Sequence, residues 1–230
     1  MKQIKHKLKR VTDKIFALEI PNDWDRSMTF LRAQEFYESA DSKFRNKDFD
    51  IWDYMKWYAY SRPGATEVFS YTRDWAAFNI PVKTIVQCLD NQTTDLTPYD
   101  IFMDEILHQI FNKYDALEQD AYLIGVDQME GRNLNHEMSH AIWYTQPEYK
   151  ERATKLIKSL PKSDVDAAKG KLTRMGYTKE VLLDEIAAYA STGDMGIIGI
   201  SQDTTNKFQQ AFIDLREEFM PKKQKLKKAA

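Results

Sequence analysis

The sequence predicts a helix-rich α+β fold with a small mixed sheet. Two short runs, residues 14–20 and 121–126, are apolar and rich in β-forming residues, as strands are. Longer segments elsewhere in the chain have apolar side chains at intervals of three and four residues, which is typical of amphipathic helices. With 230 residues, 43% of them hydrophobic, the chain can build a core in one large domain or two small ones.

The N-terminal half is predicted to hold two strands and four helices. Pro21 ends the first strand, and either Asp25 or Ser27 can cap the helix that follows. Thr97 is a strong helix start, because the proline and aspartate after it suit a capped first turn. Residues 75–81 are expected to form an aromatic loop. The strands are expected at residues 14–20 and 68–71, and the helices at residues 26–39, 50–60, 81–88 and 97–113.

The C-terminal half is predicted to hold one strand and five helices. The strand at residues 121–126 ends shortly before the first of these helices. Placed there, it either lines a cleft, where its free edge can pair with an extended peptide, or serves as an ordinary core strand. The two interpretations are compatible and both stay open. Thr178 is the expected cap of the fourth helix, and the helices are expected at residues 133–146, 147–160, 163–176, 179–191 and 205–220.

The first of these helices carries the pattern H-E-x-x-H, within the segment that runs from Asn135 to Ala141. On a helix, His136 and His140 lie one turn apart on the same face, so both imidazoles can bind one metal ion. Glu137 is rotated by about 100° from His136, and from there its carboxylate can reach a water on the open side of the metal. Two neutral nitrogen ligands with a base beside them are what a zinc hydrolase requires.

A catalytic zinc site needs a third protein ligand, and no histidine follows His140. Asp184 and Glu185 lie in the middle of an otherwise apolar predicted helix, followed by alanines that allow close packing. Burying an unpaired carboxylate is costly, and a dication can be its partner. Either carboxylate can therefore supply the third ligand, whereas the single cysteine, Cys88, lies far upstream.

H-E-x-x-H followed by a glutamate on a second helix resembles the gluzincin branch of the zincin-like zinc metallopeptidases. In that branch the second helix often reads N-E-x-x-A-D, and D-E-I-A-A-Y of this chain matches it at Glu185 and Ala188. It departs at Asp184 and Tyr189. The family's last aspartate often orients the first zinc-binding histidine; here Asp184, the Tyr189 hydroxyl or a backbone carbonyl can substitute. The resemblance covers residues 122–192.

The resemblance implies a zincin-like fold, in which an active-site helix, a small mixed sheet and a second ligand-bearing helix form the site. It implies Zn²⁺ as the cofactor, bound by His136, His140 and Glu185. The implied reaction is hydrolysis of a peptide or protein substrate, with Glu137 activating a zinc-bound water. Tyr177, eight residues before Glu185, is the expected oxyanion donor. The rivals for that role are Tyr189 and Tyr144.

Two other functions stay open. In the first, the chain is a catalytically inactive zincin-fold protein that acts as a metal-containing peptide or protein interaction module, which the replacement of the family's last aspartate by Tyr189 favours. In the second, a helical protein binds no metal, and its basic tail and aromatic helices serve a partner. Metal content separates the second function from the others. Loss of turnover on changing Glu137 separates a peptidase from the interaction module.

The predicted organisation has three parts: an N-terminal α/β region at residues 1–118, a zincin-like catalytic region at residues 119–220 and a basic disordered tail at residues 221–230. A net charge of -2 gives no electrostatic reason to expect nucleic acid or membrane as a partner. No signal peptide or membrane span is evident, and one cysteine, Cys88, suits a reducing compartment. A cytoplasmic protein is therefore expected, and the sequence carries no signal for an oligomeric state.

Overall fold

The computed structural model describes residues 3–39 and 41–220, and these residues form four strands and ten α-helices. The expected helix-rich α+β fold is confirmed. The strands are β1 (Lys7–Arg10), β2 (Ile15–Glu19), β3 (Phe78–Pro81) and β4 (Tyr122–Val126). The helices are α1 (Asp23–Glu38), α2 (Ile51–Tyr60), α3 (Tyr71–Asp74), α4 (Val82–Asp90), α5 (Pro98–Tyr114), α6 (Arg132–Thr145), α7 (Pro147–Ser159), α8 (Lys162–Arg174), α9 (Leu182–Ser191) and α10 (Gln202–Phe219).

The four strands form one mixed sheet in the order β1-β2-β4-β3. The central strand β4 runs parallel to β2 and antiparallel to β3, and β1 is antiparallel to β2. In this register Phe78 pairs with Gly125 and Ile80 with Leu123. Within the described residues, β3 therefore has one edge paired with β4 and one edge without a strand partner.

Helices cover both faces of the sheet and form two hydrophobic cores. Because side chains alternate along a strand, Leu123 and Ile124 of β4 belong to different cores. The first core is built with α1 to α5, and the second with α6 to α10. The chain thus places its early helices on one face and its late helices on the other.

Helix α1 approaches the sheet very closely at Gly125. A Cβ atom on Gly125 would lie 2.4 Å from Cε2 of Phe30. The Phe30 ring stacks on Phe78 of β3 with 5.2 Å between centroids. Only glycine leaves room for this ring, so Gly125 fixes the distance between α1 and the strand pair β3 and β4.

The strand expected at residues 68–71 is wrong, because Tyr71 begins the short helix α3. Tyr71 is fully buried, and its hydroxyl donates a hydrogen bond to Glu35 Oε1 across 2.9 Å. Tertiary packing here overrides local β propensity.

The aromatic loop expected at residues 75–81 is wrong in its second half, since Phe78–Pro81 forms β3. Strand β1 was not predicted, because its charged residues resemble a loop more than an edge strand.

The other expected elements are present, with boundary changes at three helices. α1 begins earlier than expected because Asn22 caps it, accepting a hydrogen bond from the Asp25 amide. α9 begins only at Leu182, without a side-chain cap, so Thr178 does not cap it. α10 begins earlier because Ser201 caps it.

Three further predictions concern helix capping, the membrane and the domain division. The capping box of Thr97 and Asp100 at the start of α5 is confirmed. Among the described residues, no helix has both the length and the apolar character needed to cross a bilayer. The basic tail at residues 221–230 lies outside the described residues. The division between residues 1–118 and 119–220 stays a prediction, and β4 of the second part pairs with strands of the first.

Candidate metal centre

The H-E-x-x-H motif lies on α6, which packs against the sheet. Gly131, with a φ of 99°, precedes the helix. Met138 and Ile142 are buried in the second core and hold α6 against β4. This packing leaves His136 partly exposed and His140 buried, on the side of α6 that meets α9.

Helices α6 and α9 pack directly on each other. Ala187 and Ala188 are buried, so the helices can approach closely. Ser139 of α6 and Ser191 of α9 share a buried hydrogen bond of 2.8 Å between their Oγ atoms. These short side chains bring Glu185 to the two histidines of the motif.

Three donor atoms converge where the two helices meet. The Nε2 atoms of His136 and His140 lie 3.3 Å apart. Glu185 places Oε1 at 3.6 Å from His140 Nε2, and Oε2 at 3.9 Å from His136 Nε2. Ligand atoms around a tetrahedral zinc ion lie about 3.4 Å apart. With one donor atom taken from each residue, all three atoms lie within 4.8 Å of one another, which is close enough for the three residues to share one metal ion.

The chemistry of these donors also fits a metal ion. Glu185 Oε2 is buried and has no hydrogen-bond partner among the described residues. An unpaired buried carboxylate oxygen is costly, and a cation at the convergence point would satisfy it. Imidazole nitrogen combined with carboxylate suits zinc, whereas magnesium and calcium prefer oxygen ligands throughout.

The sequence did not decide whether Asp184 or Glu185 supplies the third ligand, and the two carboxylates take different positions in the structure. Glu185 faces the Nε2 atoms of both histidines, whereas Asp184 Oδ1 lies 3.0 Å from His140 Nδ1. A histidine ligand commonly donates its second ring N–H to a carboxylate, which fixes its tautomer and orientation. Asp184 therefore lies where an orienting carboxylate would act, and it lies beside the second histidine of the motif rather than the first.

Glu137 lines the same pocket and is held by β3. Asn79 Nδ2 donates a hydrogen bond to Glu137 Oε2 across 2.5 Å, and the Tyr122 hydroxyl donates to Asn79 Oδ1. Burial raises the pKa of Glu137 and Asp184 adds to this, while His140 and Asn79 oppose it. A carboxyl group with a raised pKa is suited to take up and release a proton near neutral pH.

The charges of the cluster act strongly on one another. Burial lowers the pKa of His136 to about 3, and the charges of His140 and Arg132 contribute. Burial raises the pKa of Glu185 to about 8, opposed by His140 and reinforced by Asp184. For His140, burial alone lowers the pKa, but the carboxylates of Asp184 and Glu185 outweigh it and raise the pKa. Neutral His136 is in the form that binds a metal, and a divalent cation would offset the crowded carboxylates.

A pocket of about 580 Å³ opens over the cluster and is bordered by α1, β3, α6 and α9. The expectation that the strand at residues 121–126 lines the cleft is wrong. Asn79 of β3 lines the pocket, and no residue of β4 does. The free edge expected for that strand is wrong as well, because β4 is central and is paired on both sides. The strand beside the pocket is β3.

The three candidate tyrosines lie at different places. Tyr177 and Tyr189 both line the pocket, and the Tyr177 hydroxyl hydrogen-bonds to Tyr189. Tyr189 also packs edge-on against His136, with ring centroids 4.8 Å apart. Tyr144 instead packs against Tyr122 at 5.0 Å and does not line the pocket. The geometry therefore favours Tyr177 and Tyr189 over Tyr144 as donors to a bound substrate.

No protein-family model, curated protein or solved structure matches this chain. The zincin-like relationship accordingly stays a prediction from the two motifs. The function must therefore be argued from the chemistry of the pocket itself.

The pocket residues Asn79, Gln34 and Glu38 were not singled out in the sequence. Hydrogen bonds through Asn79 connect Glu137 with Tyr122 of β4, and Gln34 and Glu38 lie on α1. A signal for Asn79 exists, since it is the polar residue between two apolar ones in a period-two pattern. The α1 residues carry no local signal, because their role depends on how α1 crosses the sheet.

Proposed function

We propose that this chain is a zinc-dependent peptidase with a zincin-like fold. The observation that carries the proposal is the convergence of His136, His140 and Glu185, with Glu137 in the same pocket. Among the described residues, three side chains are close enough together to serve as ligands at this point. Three protein ligands with a base beside them are typical of catalytic zinc sites, whereas structural sites take four.

Each residue of the site has a distinct role in this proposal. His136, His140 and Glu185 would hold the zinc ion, which would supply Lewis-acid chemistry, namely a lowered pKa for a bound water and polarisation of a carbonyl group. Glu137 accepts a proton from a water molecule in the pocket and passes it to the leaving amine. Asn79 donates to Glu137 Oε2, which leaves Oε1 for the proton. Asp184 keeps the His140 ring turned toward Glu185.

Asn79 of β3 supports a peptide as the substrate. It is the one partly exposed residue of β3, whereas Phe78, Ile80 and Pro81 are buried, and its side-chain amide contacts Glu137 in the pocket. A peptide group that reaches Asn79 would therefore lie close to the base. Tyr177 or Tyr189 can then donate a hydrogen bond to the developing oxyanion from the opposite side of the pocket.

A peptide-library digest tests the proposal. The wild type and Glu137→Gln are compared at matched zinc content, because glutamine keeps the shape and hydrogen bonding of Glu137 but cannot act as a base. We expect a loss of hydrolysis of about 10²–10⁴-fold. Glu130→Gln, the same change at an exposed residue, is the control and should retain full activity.

The digest also separates the proposal from its alternative. Equal cleavage by the wild type and Glu137→Gln would exclude the mechanism. Zinc binding without cleavage by either protein would instead support a catalytically inactive zincin-fold protein that acts as an interaction module for peptides or proteins.

A further inference from the structure

Two residues of α1 with hydrogen-bond acceptors, Gln34 and Glu38, line the pocket together with His136 and Glu185 and form its α1 wall. Gln34 and Glu38 lie one helical turn apart, and Gln34 Nε2 donates to Glu38 Oε2 across 3.1 Å. Gln34 is only 7% exposed, and its Oε1 has no hydrogen-bond partner among the described residues. A buried amide oxygen without a donor is costly, so a donor supplied by a ligand would stabilise this wall.

The arginines that line the pocket are not free to serve this wall. Arg62 Nη2 lies 3.0 Å from Asp74 Oδ2, and Arg132 Nη2 lies 2.8 Å from Asp194 Oδ1. Each guanidinium is therefore committed to a carboxylate of its own. The described residues that line the pocket include no lysine.

Four carboxyl groups crowd around the two histidines. Glu38 lies close enough to Glu137 and Asp184 for their charges to act on it, and Glu185 completes the group. If all four are ionised, a bound dication would balance two of the four charges. A positively charged group on the substrate would offset the remaining negative charge. Glu38 is the carboxylate of these four that has no role in the proposed reaction.

We propose that Gln34 and Glu38 form a subsite for a protonated primary amine of the substrate. The inference rests on the proposed function, since it names a substrate feature read by the same pocket. An ammonium group carries three N–H donors and no acceptor, so it can donate to Gln34 Oε1 and to the Glu38 carboxylate together. Two parts of a peptide carry such a group, the free N-terminus and the lysine side chain.

Binding of three small amides to the zinc-loaded full-length protein tests the subsite by ligand-observed NMR. L-leucinamide carries a free α-amine, N-acetyl-L-leucinamide carries none, and Nα-acetyl-L-lysinamide carries only a side-chain amine. We expect Glu38→Gln to weaken binding of an amine probe by at least about 10-fold, as for a lost charge-assisted hydrogen bond. Glu105→Gln, on the exposed surface of α5, should bind as the wild type does.

The two amine probes identify the source of the ammonium group. If Glu38→Gln weakens the binding of L-leucinamide, the subsite binds a peptide N-terminus. If it weakens the binding of Nα-acetyl-L-lysinamide alone, the subsite binds a lysine side chain. Binding of both amines that is unaffected by Glu38→Gln would overturn the proposal. So would a wild type that binds neither amine probe more tightly than N-acetyl-L-leucinamide.

A second variant guards against a folding defect in Glu38→Gln. Gln34→Met removes the unpaired Oε1 with little change in volume, and it should also weaken amine binding; unchanged binding would contradict the subsite. Because these binding measurements do not require turnover, they can contradict the amine subsite whether or not the protein is a peptidase. Absence of peptide cleavage contradicts the peptidase, whereas amine binding that ignores both α1 residues contradicts this inference.

Discussion

The Nδ1 atom of His140 lies 3.0 Å from Oδ1 of Asp184, so a carboxylate of α9 lies beside a ring of α6. The next residue, Glu185, faces the Nε2 side of the same ring. Two consecutive residues of one helix thus approach the two nitrogens of one histidine. We propose that the first of them orients the ring and that the second binds the metal.

Asp184→Asn should lower zinc affinity by about 10–100-fold without abolishing binding, since loss of an orienting partner weakens a metal site by that amount. Competition with a chromophoric chelator measures the change. Asp166→Asn, at an exposed position of α8, removes the same charge and should keep wild-type affinity. Equal affinities for Asp184→Asn and the wild type would show that Asp184 does not orient His140.

Asn79→Ala should reduce kcat with little change in zinc content, because Glu137 loses the donor that holds Oε2. A hydrogen bond to a charged group contributes about 1.5–3 kcal/mol, which predicts a loss of about 10–100-fold. Steady-state kinetics with elemental analysis measures both quantities. Asn206→Ala, on the exposed face of α10, is the matched control. A change confined to KM would indicate substrate binding instead of positioning of the base.

Gly125→Ala should lower the free energy of unfolding by about 1–3 kcal/mol, as overpacking of a tight core does. The new methyl group would meet the Phe30 ring at 2.4 Å. Urea denaturation measures the change, and Phe30→Leu in the same chain should restore part of it. Gly196→Ala meets no atom within 4 Å and serves as the control. Equal stability of both glycine variants would contradict the close approach of α1 to β4.

Stability should depend on pH through Glu35, because burial raises its pKa despite a hydrogen bond from the Tyr71 hydroxyl. The native state then holds this proton more tightly than the unfolded chain. The stability it contributes is present below the ordinary pKa of 4.5 and is lost as the pH rises through the raised native value.

Glu35→Gln cannot titrate, so its free energy of unfolding relative to the wild type should increase as the pH rises above 4.5. Urea denaturation between pH 4 and pH 8 at fixed zinc concentration measures the difference. Glu118→Gln, at an exposed position, should show no such trend. Parallel pH profiles for Glu35→Gln and the wild type would contradict the raised pKa.

Local chemistry made much of this fold predictable from sequence. Thr97 and Asp100 specify a helix start by themselves, and the spacing of His136 and His140 specifies one helix face. Glu185 is an acidic residue within an apolar helix, which indicated that its carboxylate has a binding partner outside that helix. Each of these signals depends on neighbours within a few residues, which is the range over which sequence patterns are informative.

The parts that the sequence did not predict depend on contacts between distant segments. Residues 68–71 have the composition of a strand, yet Tyr71 starts a helix because it fills the aromatic core around α2. Asn79 contacts Glu137 only because β3 pairs with β4 at the sheet edge. Gln34 reaches the pocket only because Phe30 packs on Gly125. Tertiary packing decides these features.

Both proposals require a zinc ion held by two histidines of α6 and one carboxylate of α9. Elemental analysis of bound zinc in the wild type and in alanine variants measures this, with circular dichroism to confirm folding. We predict one zinc ion per chain in the wild type, loss of zinc in His136→Ala and strongly reduced zinc in Glu185→Ala. Full zinc in Glu185→Ala together with loss of zinc in Asp184→Ala would contradict the account, as would a wild-type protein that binds no zinc.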